Sequence, residues 1–112
     1  MTKPKNEHIV LTKGDEEIEL DYSELRKAVL VLRAVNHDLR KKIISLLEEQ
    51  DRLTVTDIYI KLRLEQSVAS QHLAILRKAR IVRPSREGKF IYYSLDKERI
   101  QQIADLIGDL AE

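Results

Sequence analysis

The sequence contains no cysteine, which excludes a disulfide framework, a thiolate metal site and a thiol nucleophile. Only three glycines are present, and none belongs to a phosphate-binding loop. The chain also lacks a Ser/His/acid arrangement typical of nucleophilic catalysis. Its 112 residues suit one small domain with little volume for a substrate pocket. We therefore expect neither enzymatic activity nor a cofactor.

Long hydrophobic runs are missing as well. No stretch approaches the roughly 18 apolar residues of a membrane-spanning helix. The first residues, M-T-K-P-K-N-E-H, lack the apolar centre of a signal peptide. We therefore expect a cytoplasmic protein with no membrane association.

The net charge is only +1, but the charges are unevenly distributed. Residues 58–95 contain eight basic and two acidic side chains, so this segment is +6 and the rest of the chain is −5. Positive charge concentrated on one part of a small domain favours nucleic-acid binding. The eight basic residues are Lys61, Arg63, Arg77, Lys78, Arg80, Arg83, Arg86 and Lys89.

The spacing predicts a two-faced helix over residues 66–80. Its buried stripe consists of Val68, Ala69, Leu73, Leu76 and Ala79, and its polar face of Ser67, Ser70, Gln71, Ala74 and Lys78. Serine and glutamine suit base edges, since glutamine forms a bidentate pair with adenine. Arg77, Lys78 and Arg80 complement the helix dipole and are placed to reach phosphates. Taken alone, the same pattern also fits an ordinary solvated helix.

The residues around this helix predict the rest of a DNA-binding fold. Residues 81–86 and 89–95, separated by Glu87-Gly88, predict a basic β-hairpin. Upstream, helices are predicted at 38–49, with Asp38 as N-cap, and at 58–62, followed by a short turn. The expected fold is mainly α, a winged helix-turn-helix with about five helices and a two-stranded wing.

Two terminal helices, predicted at 22–35 and 96–112, present more apolar surface than one small core needs. We expect them to form a homodimer, which would place two recognition helices about 34 Å apart on a palindromic site. The predicted interface residues are Leu25, Val29, Leu32, Ile100, Ile103, Ile107 and Leu110.

The expected domain division separates an N-terminal extension, residues 1–21, from a DNA-binding and dimerisation domain, residues 22–112. Weak alternation around Lys13-Gly14-Asp15 predicts a short hairpin in the extension. A helix start is predicted at Ser23 and Glu24.

Four segments in this order resemble the ArsR/SmtB family of winged helix-turn-helix regulators: N-H-D-L-R-K-K-I-I-S-L-L, L-T-V-T-D-I, Q-S-V-A-S-Q-H-L-A-I-L-R-K-A-R-I-V and R-E-G-K-F-I-Y-Y-S-L. The resemblance implies a dimeric repressor that binds a double-stranded DNA operator and releases it when an effector binds. It assigns the recognition helix Gln66, Ser67, Ser70, Gln71 and His72, and the wing Arg86, Glu87, Gly88 and Lys89.

The sequence departs from this family at its glycines and metal ligands. Arg63 and Arg80 stand where the family often has glycine, at a cost of about 1 kcal/mol for a left-handed conformation. Thr54 and Thr56 replace the cysteines of metal-sensing relatives. The ligand positions on the last helix fall on Lys97, Arg99 and Leu110, so no metal site is expected.

Two alternatives stay open. The acidic residues Asp96, Glu98, Asp109 and Glu112 permit a regulator that senses a hard divalent cation. A winged helix also serves as a protein–protein interaction module, because fold alone does not fix function. A steep salt dependence of binding would separate DNA from protein as the partner.

Overall fold

The computed structural model describes residues 7–112, which form two compact units that meet at Arg33 and Ala34. Residues 1–6 of the predicted extension lie outside this described part. The unit boundary falls inside a helix rather than at residue 21, and the predicted division of roles between extension and domain stays a prediction.

The first unit contains a β-hairpin and most of the first helix. Strands β1 (His8–Lys13) and β2 (Glu16–Asp21) pair antiparallel, and Gly14 takes a φ of 62° in the two-residue turn between them. Helix α1 (Tyr22–Val35) follows at once. Its start is capped by Asp21, whose Oδ1 accepts from the Ser23 amide at 3.0 Å and the Ser23 hydroxyl at 2.6 Å. The helix therefore has the bounds that the sequence predicts, residues 22–35.

Helix α2 (Asp38–Gln50) opens the second unit. Its N-cap is His37 and not Asp38, because the Nδ1 atom of His37 accepts from the Leu39 amide at 3.1 Å. Asp38 instead occupies the first helical turn, where its carboxylate complements the positive end of the helix dipole.

Strand β3 (Arg52–Thr54) and helix α3 (Val55–Lys61) correct the sequence prediction in two ways. Strand β3 was not predicted, and it pairs antiparallel with the second wing strand. Helix α3 begins at Val55, earlier than the predicted Ile58, because Thr54 and Asp57 form a reciprocal capping box.

The recognition helix α4 (Gln66–Lys78) leads into wing strands β4 (Val82–Glu87) and β5 (Phe90–Leu95), and helix α5 (Lys97–Ala111) follows. The strand order is β3-β5-β4, so the wing is extended to three strands. Register Glu87↔Phe90 moves the turn to Gly88-Lys89, one residue beyond the predicted Glu87-Gly88, with Gly88 at φ 62°. Glycine at the first turn position is typical of type II′ hairpins.

The junction between these elements is held by backbone and side-chain hydrogen bonds. The Asp96 amide donates to the Ile81 carbonyl at 2.8 Å, and the Asp96 carboxylate caps α5 by accepting from the Arg99 amide at 3.0 Å. The Arg99 Nε donates to the Ala79 carbonyl at 3.1 Å. The first turn of α5 is therefore bonded to the end of α4 and the start of the wing.

The core of the second unit confirms the predicted stripe of α4. Ala69, Leu73, Leu76 and Ala79 are buried, and Val68 is half-buried. They pack with other fully buried side chains, Ile43, Leu47, Ile58, Ile81 and Val82. In the described part of the chain, five helices and an antiparallel wing confirm the winged helix-turn-helix. Within residues 7–112, no helix has the length and apolarity needed to cross a bilayer.

Candidate nucleic-acid interface

The polar face of α4 is open to solvent. Gln66, Ser67, Ser70 and Gln71 are all exposed, whereas the opposite face of the helix is packed into the core. This division follows directly from the sequence, because the apolar residues of the helix recur at three- and four-residue spacing. The amide and hydroxyl groups of four predicted recognition residues are therefore available to a ligand.

His72 differs from these neighbours because it is half-buried. Its Nδ1 lies 3.2 Å from the Nη1 of Arg40, and its ring lies 4.9 Å from the ring of His37. The buried Arg40 also donates from Nε to the Ala34 carbonyl at 2.7 Å. Burial, the neighbouring His37 and the charge of Arg40 lower the pKa of His72. His72 thus connects α4 to α2.

A basic cleft lies between α4 and the wing. Its volume is about 330 Å³, and its lining combines Ser70, Ala74, Arg77 and Lys78 of α4 with Val55 and Tyr93. Side chains alternate between the two faces of a strand pair, and Arg86 pairs with Ile91, two residues before Tyr93. Arg86 therefore lies on the same face of the wing as Tyr93. The cleft and the adjoining face of the wing thus bring Ser70 close to three predicted basic contacts, which are Arg77, Lys78 and Arg86.

Lys89 is exposed at the tip of the wing, and the neighbouring Glu87 is paired with a cation of the same chain. Both oxygens of Glu87 accept from the guanidinium of Arg52, which also lies 4.1 Å from the ring centre of Tyr92. The hydrogen bond from Arg52 lowers the pKa of Glu87. Glu87 consequently does not leave an uncompensated negative charge beside the predicted phosphate contacts. Arg52 was missed because the strand that positions it was missed.

Arg63 and Arg80 adopt the left-handed conformation predicted for them. Their φ values are 54° and 61°, and each follows a helix end as the C′ residue. After α4, the Ile81 amide donates to the Leu76 carbonyl and the Arg80 amide to the Arg77 carbonyl, both at 2.9 Å. After α3, the amides of residues 64 and 63 bond to the carbonyls of residues 59 and 60 in the same pattern. Both ends are Schellman motifs, which usually have glycine at C′.

The predicted dimer residues divide into exposed and buried positions. Leu25, Ile107 and Leu110 are 51%, 44% and 72% exposed. Val29, Leu32 and Ile100 are half-buried. Ile103 is only 7% exposed and belongs to the core of the second unit, so its side chain does not offer a free contact surface. On α5, the exposed side chains of the predicted interface are Ile107 and Leu110, which lie toward the C-terminus of the helix.

Two of the residues considered for metal binding are engaged in helix capping. Thr54 caps α3 and Asp96 caps α5 through their side-chain oxygens. Among residues 7–112, no group of three or more His, Cys, Asp or Glu side chains is arranged to hold a metal ion.

Comparison with known proteins gives one consistent family. The family model for bacterial regulatory proteins of the arsR family matches residues 37–83. The transcriptional repressor PagR of Bacillus anthracis is 32% identical over 91 residues, which span 81% of this chain and 91% of PagR. The crystal structure of PagR aligns with a TM-score of 0.62 at 33% identity, covering 78% of this chain and 99% of PagR.

Two further relatives carry different descriptions. The transcriptional activator HlyU of Vibrio cholerae is 32% identical, with 72% of this chain and 74% of HlyU covered. The cadmium resistance transcriptional regulatory protein CadC homolog of Staphylococcus aureus is 35% identical, with 67% of this chain and 62% of the homolog covered.

Proposed function

Because the chain belongs to the ArsR family of bacterial regulatory proteins, it is a DNA-binding transcriptional regulator and not an enzyme, and we propose that it is a dimeric repressor of a palindromic operator. The observation that carries this proposal is the open Ser/Gln face of α4 beside the basic cleft and Arg86. This arrangement offers base-reading groups and phosphate-binding groups to the same DNA duplex.

The proposed contacts fall into two groups with different roles. Gln66, Ser67, Ser70 and Gln71 read base edges in the major groove. Arg77, Lys78, Arg86 and Lys89 bind phosphates and set the position of the protein on the duplex. His72 acts mainly by fixing α4 against Arg40, so its part in DNA binding is indirect.

The proposed dimer joins the apolar residues that α1 and α5 leave exposed. Two copies related by a two-fold axis present two recognition helices, which matches half-sites about one DNA turn apart. An effector of unknown identity controls release of the operator. Thr54 and Thr56 at the family's cysteine positions support a signal other than a soft metal ion. Similarity to the repressor PagR supports repression, whereas HlyU is described as an activator.

The test is selection of bound sites from random duplex DNA at moderate salt, repeated with EDTA and with added divalent metal ions. We expect an enriched palindrome that is the same under all three conditions. A site that appears only with a divalent ion would contradict the metal-free proposal, and no enrichment would favour protein as the partner. Transcription from a promoter carrying the selected site then separates repression from activation.

Gln71→Ala provides a residue-level prediction. Removal of a bidentate hydrogen-bonding side chain should cost about 1 to 3 kcal/mol on the selected site and relax base preference at one position per half-site. The comparison is Gln101→Ala, which changes an exposed glutamine of α5. Competition binding to the selected site and to single-base variants measures both effects. Equal weakening on every sequence would make Gln71 a backbone contact instead of a base reader.

A further inference from the structure

The N-terminal hairpin lies outside residues 37–83, which match the family model, and nothing in the proposed DNA contacts uses it. Its register separates its side chains by chemistry. Ile9 pairs with Leu20 and Leu11 with Ile18, so these four aliphatic side chains share one face. The opposite face contains Val10, Thr12, Glu17 and Glu19. The hairpin is therefore amphipathic.

The aliphatic face is uncovered. Ile9, Leu11, Ile18 and Leu20 are 45%, 48%, 42% and 47% exposed. A two-stranded hairpin is marginally stable in water unless its apolar face packs against something. Four adjacent exposed aliphatic residues in a short segment also form the kind of patch that marks an interaction surface.

The charge pattern indicates what covers this face. Lys13 pairs with Glu16 at the turn end, on the same face as the four aliphatic residues. When two such faces are stacked around a two-fold axis parallel to the strands, β1 of one copy lies over β2 of the other. Lys13 then meets Glu16 of the partner subunit, twice per dimer, and the aliphatic pairs meet in the same way. The remaining acidic side chains of β2, Glu17, Glu19 and Asp21, lie on the opposite face of the hairpin.

Pairing through the free edge of β2 is less favourable. It would bring the acidic sequence E-E-I-E-L-D beside a second copy of itself and leave the aliphatic face exposed. We propose that the hairpin is a self-association element, in which the Ile9, Leu11, Ile18 and Leu20 face of one copy stacks on that of a second copy. This inference extends the proposed dimer by a contact outside α1 and α5.

The first experiment measures the dimer dissociation constant of full-length variants by sedimentation equilibrium. Ile18→Thr removes aliphatic surface from the stacked face but keeps a β-branched residue suited to a strand. Its matched control, Val10→Thr, makes a similar change on the opposite face, where Val10 is 50% exposed. We expect Ile18→Thr to raise the dissociation constant about tenfold, since the buried aliphatic surface shrinks twice per dimer, and Val10→Thr to leave it unchanged. Equal effects of the two variants, or no effect of Ile18→Thr, would overturn the inference.

A second experiment identifies the occupant without altering the aliphatic face. In Lys13→Glu both hairpin tips are acidic, and in Glu16→Lys both are basic. Each homodimer then contains like charges across the contact, whereas a mixed dimer contains two opposite-charge pairs. Native mass spectrometry of an equimolar mixture at low salt should therefore show a several-fold excess of mixed dimer over the statistical ratio. A statistical ratio would show that the tips do not face each other and would reject the stacked arrangement.

These results are separable from the proposed function. A wild-type dimer that binds its palindrome, with unchanged dissociation constants in the hairpin variants, would reject the hairpin contact alone. A chain that stays monomeric at every concentration and binds no palindrome would reject both the hairpin contact and the proposed dimeric repressor.

Discussion

Arg63 and Arg80 show how a single residue position constrains this fold. Each occupies the C′ position of a Schellman motif with a positive φ, where a Cβ atom is unfavourable. Both side chains also add positive charge on either side of α4. We infer that the chain accepts a conformational cost at these two positions and retains a cation at each.

Replacement of Arg80 by glycine tests this cost. We expect Arg80→Gly to stabilise the protein by about 1 kcal/mol, because glycine adopts a left-handed conformation without steric penalty. Ala74→Gly is the matched control, since Ala74 is exposed in the interior of α4, where glycine costs about 1 kcal/mol. Urea denaturation should therefore give shifts of opposite sign. A decrease in stability in Arg80→Gly would mean that the arginine makes compensating contacts.

His72 predicts how stability depends on pH. Its pKa is lowered by burial, by His37 and by Arg40, so the folded protein binds this proton less tightly than the unfolded chain. The contribution to stability is complete above the ordinary imidazole pKa of about 6.5 and disappears as the pH falls below it. We expect His72→Gln to flatten the decrease in stability below that pH in urea titrations. Parallel curves for the two proteins would exclude His72 as the titrating group.

Residue roles were predictable only where local sequence determines them. The exposed polar face of α4 follows from helical spacing, whereas the left-handed conformation of Arg63 and Arg80 was indicated by the family resemblance, which places glycine at those positions. The contact between Arg40 and His72 follows from neither, because it joins residues 32 positions apart in the sequence. The cap of α2 was assigned to Asp38 because aspartate is a common N-cap, whereas His37 supplies the acceptor.

Among the elements, strand β3 extends the wing, but the sequence of β3 does not predict a strand. Strand β3 has only three residues, too few for a clear alternation, and it forms by pairing with β5. Its Arg52 binds Glu87 near the wing tip, and this pair links β3 to β4 across the outer face of the sheet. The longer helices α1, α2, α4 and α5 were easier to predict, since each has a long enough apolar period to mark its buried side. Helix α3 has only seven residues, and its start was predicted three residues too late.

The wing prediction concerns two cations on opposite faces of β4. Arg86 lies on the face that meets α4, and Arg83, three residues earlier, lies on the other face. We expect Arg86→Ala to weaken binding to all DNA sequences and to reduce the salt slope by about 0.9 for each phosphate that the variant no longer neutralises. Arg83→Ala should have a much smaller effect in the same fluorescence-anisotropy titrations. Equal effects would show that DNA does not distinguish the two faces of the wing.

Lys89→Ala should behave like Arg86→Ala, because Lys89 is exposed in the turn.

For the whole molecule, the proposed dimer gives the clearest prediction. Leu110 is 72% exposed in α5, so Leu110→Asp should halve the solution mass without unfolding the chain. Ile60→Asp is the control, because Ile60 is 62% exposed on α3, outside the proposed interface. Light scattering measures the mass and circular dichroism the fold. An unchanged mass in Leu110→Asp would show that the dimer interface does not include the end of α5. Substitution of Ile103 would not serve, since its core position couples folding to assembly.

The charge distribution, and not the net charge, indicated the side of the molecule that we propose faces DNA. The +6 segment contains the end of α3, the following turn, α4 and the wing, all within the second unit. The proposed dimer interface was harder to predict from the sequence, because an apolar stripe has the same pattern whether it packs against its own chain or against a second copy. Ile103 and Leu110 share one predicted stripe, and only the structure separates core from surface.

The hydrogen bonds that join Asp96 to Ile81 and Arg99 to Ala79 have a mechanical consequence. They connect the first turn of α5 to the stretch of chain where α4 ends and β4 begins. In the proposed dimer, a shift of α5 would therefore be transmitted through residues 79–81 and 96–99 to the end of α4 and the start of β4. We propose that a rearrangement between two copies of the chain would alter DNA binding by this route.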